Sequence, residues 1–489
     1  MTERSHVSDA VKRGDFVKAE EGFLRWMDKN PSDLEAVGGY ADRMFQKGNH
    51  GLALHLYKYL LNVWHEMPAE YPPIMWSAIG TCLKFEGFVQ EAEFAFNKAL
   101  EFDPKCHAAY NGIAMGYADE AKPEKAIEFF DKGLAVEPNQ PQIMWNRGVA
   151  YLQLRRWKEG WEGFKGGERR LERSYHQDKK TQEWDEKRNR CVVVWGEQGV
   201  GDEIMFGTCL PDIIRDCREV ILDCHPRLEK TFQRSFPGLT IYPTRKTNKM
   251  LWPFQHKIDR QISIGNLPGL YRNNDKDFPG TPYLKTDPER VKHHRGMLER
   301  LGKGPYVAIT WFGGEKKTRF DYRSIPLKLW QPLRDVGGTF VSIQYNKWGH
   351  RKEAKECGIP EWPGYYDPTG PIEDLDEMFA LIDASDLVIS VCQTAIHMAG
   401  SIGKECWCLV PNKPSWRYLI EGEQMPWYNS VRLIRQGENE SWESVIERVS
   451  VQYCAWKEAR NRLAEGASVR TDGQGGVGSV VLEPSSAVA

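Results

Sequence analysis

The sequence predicts an α + α/β chain, a stack of helical hairpins followed by two parallel-sheet α/β units. Three observations carry this expectation. Residue types recur every 34 positions through the first 170 residues, and the period changes at Cys191. There "CVVVWGEQGVGDEIMF" breaks from a β-branched run into three glycines and then a helical pattern.

The recurrence is read by aligning "PIMWSAIGTCLKFEGFVQEAEFAFNKALEFDP" with "HAAYNGIAMGYADEAKPEKAIEFFDKGLAVEP". Trp76 falls on Tyr110, Gly80 on Ala114, Ala92 on Ala126, Phe96 on Phe130 and Pro104 on Pro138. Met144, Gly148, Tyr151, Gly160 and Phe164 continue the series. Upstream, Gly48, Ala53 and Tyr57 fit the same template, separated from the next copy by about five extra residues, and Gly14, Ala19, Phe23 and Pro31 supply a first copy. This resembles the tetratricopeptide repeat at four to five copies. Small residues let paired helices approach, aromatics fill the space between pairs, and proline closes each unit. A superhelix over residues 1–172 is expected. Its concave face either holds a peptide or partner domain or serves only to orient the α/β units. Residues 173–190 read as a charged helix or linker.

From Cys191 the runs "CVVVW", "EVILDC" and "LTIYP" alternate with helical stretches, which is the βαβαβ pattern of a parallel sheet. A less regular segment comes next, with Gly265, Pro268, Pro279 and Pro282. A second series then contains "YVAITW", "GGTFVSIQY", "DLVISV" and "ECWCLVP" as strands. The expected units span 191–300 and 301–463, with ligands collecting at the carboxyl ends of the strands. Residues 464–489 read as a disordered tail.

Composition narrows the function. The 66 basic residues nearly balance the 68 acidic ones, so no polyanion-binding surface and no nucleic-acid partner are expected. No apolar run reaches the length of a bilayer span, and "MTERSHVSDAVKRGDF" has no signal-type segment, so a cytoplasmic location is expected. The eleven cysteines are scattered without CxxC pairs, and "CWC" reads as a strand, which predicts reduced thiols and no metal site. "DLD" (Asp374 to Asp376) reads as a solvated face or helix cap.

Three stretches carry candidate chemistry. In the first, Gly196, Gly199 and Gly201 let a ligand approach the main chain. No Lys-Ser/Thr comes after them, and Ile204 stands where a dinucleotide fingerprint needs a third small residue. Asp202 is either an N-cap or a carboxylate that takes a proton from a substrate hydroxyl. In the second, "WFGGEKKTRFDYRSIPLKLW" puts Lys316, Lys317, Arg319 and Arg323 past a strand end, suited to a phosphate. Arg323 stands directly before the "SIPL" helix start. In the third, Gln393 and Thr394 begin a helix whose free amides suit phosphate or ribose oxygens, with His397 one turn in. The bland reading of His397 is a core histidine.

Together "VVVWGEQGVGDEIMF", "VAITW…RSIPL", "VSIQ", "DLVISV…TAIHMAGSIGKECWCLVP" and "WRYLIEGEQMPWYNSVRLIRQ" resemble, in that order, the transferase domain of bacterial repeat proteins similar to ADP-heptose:lipopolysaccharide heptosyltransferases, glycosyltransferase family nine. The resemblance implies a GT-B fold of two Rossmann-like domains. It also implies a nucleoside-diphosphate-sugar donor, a glycan, lipopolysaccharide or protein acceptor, and no metal or other cofactor. By position it implies Asp202, after Gly201, as the base, and Arg323 at the pyrophosphate beside Thr310 and Trp311. Gln344 would lie near the nucleoside, and Gln393, Thr394 and His397 at the phosphates and ribose. Cys392 and Gln393 stand where the family commonly has aspartate-threonine, which leaves a repeat scaffold with an inactive transferase domain as the alternative. A nucleotide-dependent oxidoreductase, suggested by the strand-glycine-helix pattern, is disfavoured by the missing third glycine.

Overall fold

The structure is a computed structural model that describes residues 21–22, 25, 34–62, 71–166, 184, 186, 189–196, 199–245, 250–313, 321–344 and 374–471. The expected first repeat, the 167–183 segment, Lys316, Lys317 and Arg319 fall outside these residues. The chain divides into two compact units. One comprises residues 1–280 with 412–427, the other 281–411 with 428–489.

Among the described residues, the first unit contains four helical hairpins. They pair α1 (Leu34–Gln46) with α2 (His50–Asn62), α3 (Tyr71–Phe85) with α4 (Val89–Phe102), α5 (His107–Asp119) with α6 (Pro123–Val136), and α7 (Pro141–Gln153) with α8 (Trp157–Gly166). The repeat extends to backbone conformation. The turns within the hairpins place Gly48, Gly87, Ala121 and Arg155 in the left-handed region, and the last three are spaced by 34 residues. Packing agrees with the expected roles of the residue types. The Phe96 ring occupies the space that a Cβ on Gly80 of its own repeat, or on Gly112 of the next, would need. This is an α-superhelix of tetratricopeptide type.

The last hairpin is built into the α/β part of the same unit. Trp157 Nε1 donates to Asp275 Oδ1 (2.8 Å), Trp161 Nε1 to the Arg272 carbonyl (2.8 Å), and Gln153 Nε2 to the Pro414 carbonyl (3.3 Å). The Trp161 ring meets Phe164, Phe206, Trp416 and Trp427 at centroid separations of 5.8, 6.5, 5.9 and 6.2 Å, all edge-on. Each such pair contributes about 0.5–1.5 kcal/mol beyond the area it buries.

The sheet of this unit is parallel, in the order β3-β2-β1-β4. Its strands are β1 (Cys191–Trp195), β2 (Glu219–Asp223), β3 (Thr240–Tyr242) and β4 (Arg260–Ser263). Helices α9 (Val200–Phe206), α10 (Leu210–Asp216), α11 (Glu229–Ser235) and α12 (Pro268–Tyr271) complete it. The fully buried "CVVVW" is an inner strand, as its uninterrupted apolar run requires. Strand β4 was not expected. Its residues "RQIS" lack an apolar run because it lies at the sheet edge, with Arg260 and Gln261 half-buried.

In the second unit, α13 (Pro288–Leu301) precedes five parallel strands: β5 (Tyr306–Thr310), β6 (Thr339–Ser342), β7 (Leu387–Val391), β8 (Cys406–Val410) and β9 (Tyr428–Arg435). Their order is β6-β5-β7-β8-β9. The helices α14 (Gln331–Val336), α15 (Leu375–Ala384), α16 (Thr394–Ser401) and α17 (Trp442–Thr471) join them. The units divide at Gly280/Thr281 rather than at the expected 300/301. Helix α13 is tied to α15 and β7 by Thr286–Asp383 (2.6 Å), His294–Glu377 (2.9 Å) and Arg295–Asp386 (2.9 Å) bonds. Asp374 caps α15 by accepting from Asp376 N, so the "DLD" stretch is a helix cap, with Asp376 itself buried. Helix α17 continues to Thr471, eight residues beyond the expected end at 463.

In the last hairpin backbone packs directly against backbone. A Cβ on Gly163 would stand 2.6 Å from the Met144 carbonyl and 2.7 Å from Gly148 Cα. Gly163→Ala is therefore expected to lower stability by about 1–3 kcal/mol, as overpacking does, read as a lowered urea midpoint.

Candidate active site

Parallel sheets bind ligands at the carboxyl ends of strands where the strand order reverses. In the first unit that point lies between β1 and β4, and the glycine turn leaves β1 there. Gly196 N donates to the Asp223 carbonyl (2.8 Å). A Cβ on Gly196 would fall 2.5 Å from Glu203 Oε2 and 2.9 Å from Arg245 Cδ, so a side chain there would displace that pair. Glu203 is fully buried, accepts from His225 N (2.7 Å) and pairs with Arg245 (3.2 Å). Sequence reasoning passes over Glu203 because it adjoins Asp202. In a helix, however, neighbours in sequence face different ways, and this one faces inward.

Asp202 does not cap its helix. Gly199 is the N-cap residue, and Gly201 and Asp202 lie in the first turn. Asp202 instead pairs with Arg417, whose Nε and Nη2 both approach Oδ1 at 2.6 Å. About a quarter of each side chain remains exposed, 26% for Asp202 and 22% for Arg417. The 412–427 segment that carries Arg417 has no role assigned by the sequence pattern.

Asp223, at the end of β2, is buried and holds Thr244 through its N (3.0 Å) and Oγ1 (2.7 Å). Burial pushes its carboxyl up to about 6 from 3.8, against the lowering effect of the Thr244 bonds and the Arg245 charge.

In the second unit the order reverses between β5 and β7, and the residues just beyond these strands converge. Gln344 Oε1 accepts from the backbone N of Trp311 and Phe312, both at 2.9 Å, bracing the end of β5. Ile325 N donates to the Trp311 carbonyl (2.8 Å), which pins the Arg323 segment to the same strand end. Arg323 Nη1 donates to the Cys392 carbonyl (3.2 Å). Gly313 lies between them, since a Cβ there would be 2.9 Å from Cys392 O and 3.0 Å from Arg323 Cδ. Gln393 is the N-cap residue of α16 and Thr394 its first helical residue, both half-buried. The chain after Arg323 does not enter a helix at "SIPL". A short turn starts at Leu327, and α14 begins at Gln331.

The side chains of the remaining candidates are buried. Thr310 is buried, with its hydroxyl 2.6 Å from that of Ser390. The Trp311 ring is in the core with Ile325, Trp330, Trp407 and Leu409. His397 is buried against Tyr428, whose hydroxyl lies 3.4 Å from Nδ1. Cys392 turns its thiol inward, 3.8 Å from that of Cys408. Burial holds the Cys408 thiol well above its ordinary range. Among the described residues no group of three or more His, Cys, Asp or Glu is placed to hold a metal ion. No helix among them is long and apolar enough to cross a membrane.

Fold and site together define the class, a tetratricopeptide-type array fused to parallel α/β units with a glycine at the end of the strand beside each sheet's reversal point. The chain is 28% identical over 465 residues to Protein FlbA of Caulobacter vibrioides, an alignment that covers 88% of this chain and 74% of that one. No family model matches it. Among solved structures, the MamA protein aligns with 36% of this chain and 93% of its own at 19% identity and a TM-score of 0.27. A glycosyl transferase family 9 protein from Veillonella parvula aligns with 56% of this chain and 97% of its own at 12% identity and a TM-score of 0.39.

The buried Asp223 carboxyl gives a pH test. Because its folded value is raised, its contribution to stability is fully present below about 3.8 and is lost as pH rises towards about 6. Relative to Asp223→Asn, the unaltered protein is expected to lose up to about 3 kcal/mol between pH 4 and 6.5. Urea midpoints of both proteins at the two pH values check this.

Proposed function

We propose that the chain is a glycosyltransferase that moves a sugar from a nucleoside-diphosphate-sugar to a hydroxyl of a glycan, lipopolysaccharide or protein acceptor, with inversion and without a metal ion. The observation that supports this most is the convergence of Gly313, Arg323, the Cys392 carbonyl and the start of α16 at the β5/β7 reversal point. The leaving group is a diphosphate, and negative charge grows on its oxygens as the glycosidic bond breaks. Arg323 and the free amides at Gln393 and Thr394 would take that charge. Asp202, with Gly201 beside it in the glycine turn, would take the proton of the acceptor hydroxyl. Thr310, Trp311, Gln344 and His397 would support the donor site from the core. A cytoplasmic location belongs to the same proposal.

The repeats would bind the acceptor or a partner protein. Phe85, Phe88 and Phe94 are exposed on the hairpin of α3 and α4, a surface that suits an apolar partner. Cys392 and Gln393 favour a second reading, a repeat scaffold whose transferase domain is inactive.

Calorimetry against a panel of nucleoside diphosphates and their sugar conjugates separates the two. One diphosphate is expected to bind at micromolar concentration, and Arg323→Ala to weaken it at least tenfold, about 1.4 kcal/mol. Absence of binding across the panel would overturn the transferase reading in favour of the scaffold.

A further inference from the structure

Resting on the reading of Asp202 as the base, we propose that Arg417 is its positioning residue. Arg417 holds one carboxylate oxygen and leaves the other to receive the acceptor's proton.

An arginine that grips a carboxylate for strength alone places one N–H on each oxygen. Here Nε and Nη2 both approach Oδ1, at 2.6 Å. The other oxygen, Oδ2, lies beside Gly199, 3.1 Å from where a Cβ would stand, so glycine keeps that side uncrowded. The guanidinium is itself held. It lies over the Trp416 ring at 4.8 Å, and its Nη1 donates to Ser415 Oγ (3.3 Å). Trp416 is buried among Trp161, Phe164 and Phe206. Two residues on, Leu419 takes φ 56° and ψ −179°, a conformation that L-residues rarely adopt, and is held there by burial. The buried, strained backbone at Leu419 fixes the path of the short segment that carries Arg417.

The step balances simply. The acceptor O–H gives its proton to Asp202 Oδ2, its oxygen bonds the anomeric carbon, and the bond from that carbon to the diphosphate breaks with its electron pair on the phosphate oxygen. Arg417 stays charged throughout and touches no reacting atom. It fixes the rotation of the carboxylate before the proton arrives.

The test uses the full chain and the nucleoside-diphosphate-hexose that it turns over, read as diphosphate release with water or an acceptor. Arg417→Gln is expected to lower kcat by about tenfold to a hundredfold, no more than general-base assistance itself contributes, and to leave the KM for the donor unchanged. Methylguanidinium should restore part of the rate, and Arg417→Lys should retain more of it than Arg417→Gln. Combined with Asp202→Asn, Arg417→Gln should cause no further loss, because both act through one carboxylate. An Arg417→Gln protein with normal kcat beside a slow Asp202→Asn protein would overturn the inference. So would a changed donor KM at normal kcat, or losses that multiply in the double variant. A fully active Asp202→Asn protein would instead overturn the base assignment on which the inference rests. Failure of every donor in the panel to turn over would overturn the transferase reading, and this inference with it.

Discussion

The contact on which the first unit depends is the aromatic knot around Trp161. One helix of the last repeat supplies Trp157, Trp161 and Phe164, the helix after the glycine turn supplies Phe206, and the returning segment supplies Trp416 and Trp427. Removing the repeats would take away three of these rings and strip the packing from Phe206, Trp416 and Trp427, so the array is built into the α/β part rather than hung on it. This explains why the glycine turn stands nearly two hundred residues into the chain: the surface that its helix packs against comes from the repeats. Both members of the Asp202–Arg417 pair lie within a few residues of a ring in the knot, Phe206 for one and Trp416 for the other. The geometry of that pair is therefore set by packing rather than by the pair itself. An exposed ion pair alone holds no fixed arrangement.

Beneath the glycine turn lies a second constraint, the burial of charge. Glu203 and Arg245 occupy the space that a side chain at Gly196 would fill, and Asp223 stands on the adjoining strand with its carbonyl bonded to Gly196. Buried pairs contribute little net stability against apolar replacements, but losing one partner is costly, so they specify one arrangement strongly. Here the arrangement they specify is the close approach of the backbone at Gly196. The raised carboxyl of Asp223 is a consequence of the same burial.

The legible part of the fold was local and periodic. The repeat spacing is visible because each hairpin needs small residues and rings at fixed offsets, and the left-handed turns at Gly87, Ala121 and Arg155 repeat at that spacing. Inner strands such as "CVVVW" and "DLVISV" are visible because both of their faces are buried. The edge strand at Arg260–Ser263 is not, because exposure removes the apolar signal. Nor is the crossing of residues 412–427 to the first unit, or the partnership of Asp202 with a residue 215 positions away. Such pairings are made by the fold, and no spacing in the chain encodes them. The boundary near residue 280 is hidden for the same reason, since the links from α13 to α15 join positions about a hundred residues apart.

The same distinction bears on Cys392 and Gln393, where the chain departs from the pattern it resembles. A missing carboxylate matters only if the side chain at that position faces the ligand. Here the Cys392 thiol faces the core beside Cys408 and Leu409, while its carbonyl receives Arg323 at the strand end. Position 392 thus contributes backbone to the loop and volume to the core. Volume can be supplied by many small residues, whereas the carbonyl is supplied by any. The features that hold Arg323 in place are the absence of a side chain at Gly313, the brace from Gln344 and the bond from Ile325, and none of these depends on what stands at 392. On the reading proposed above, the substitution therefore removes a charge from the pattern without removing the arrangement that would take the diphosphate.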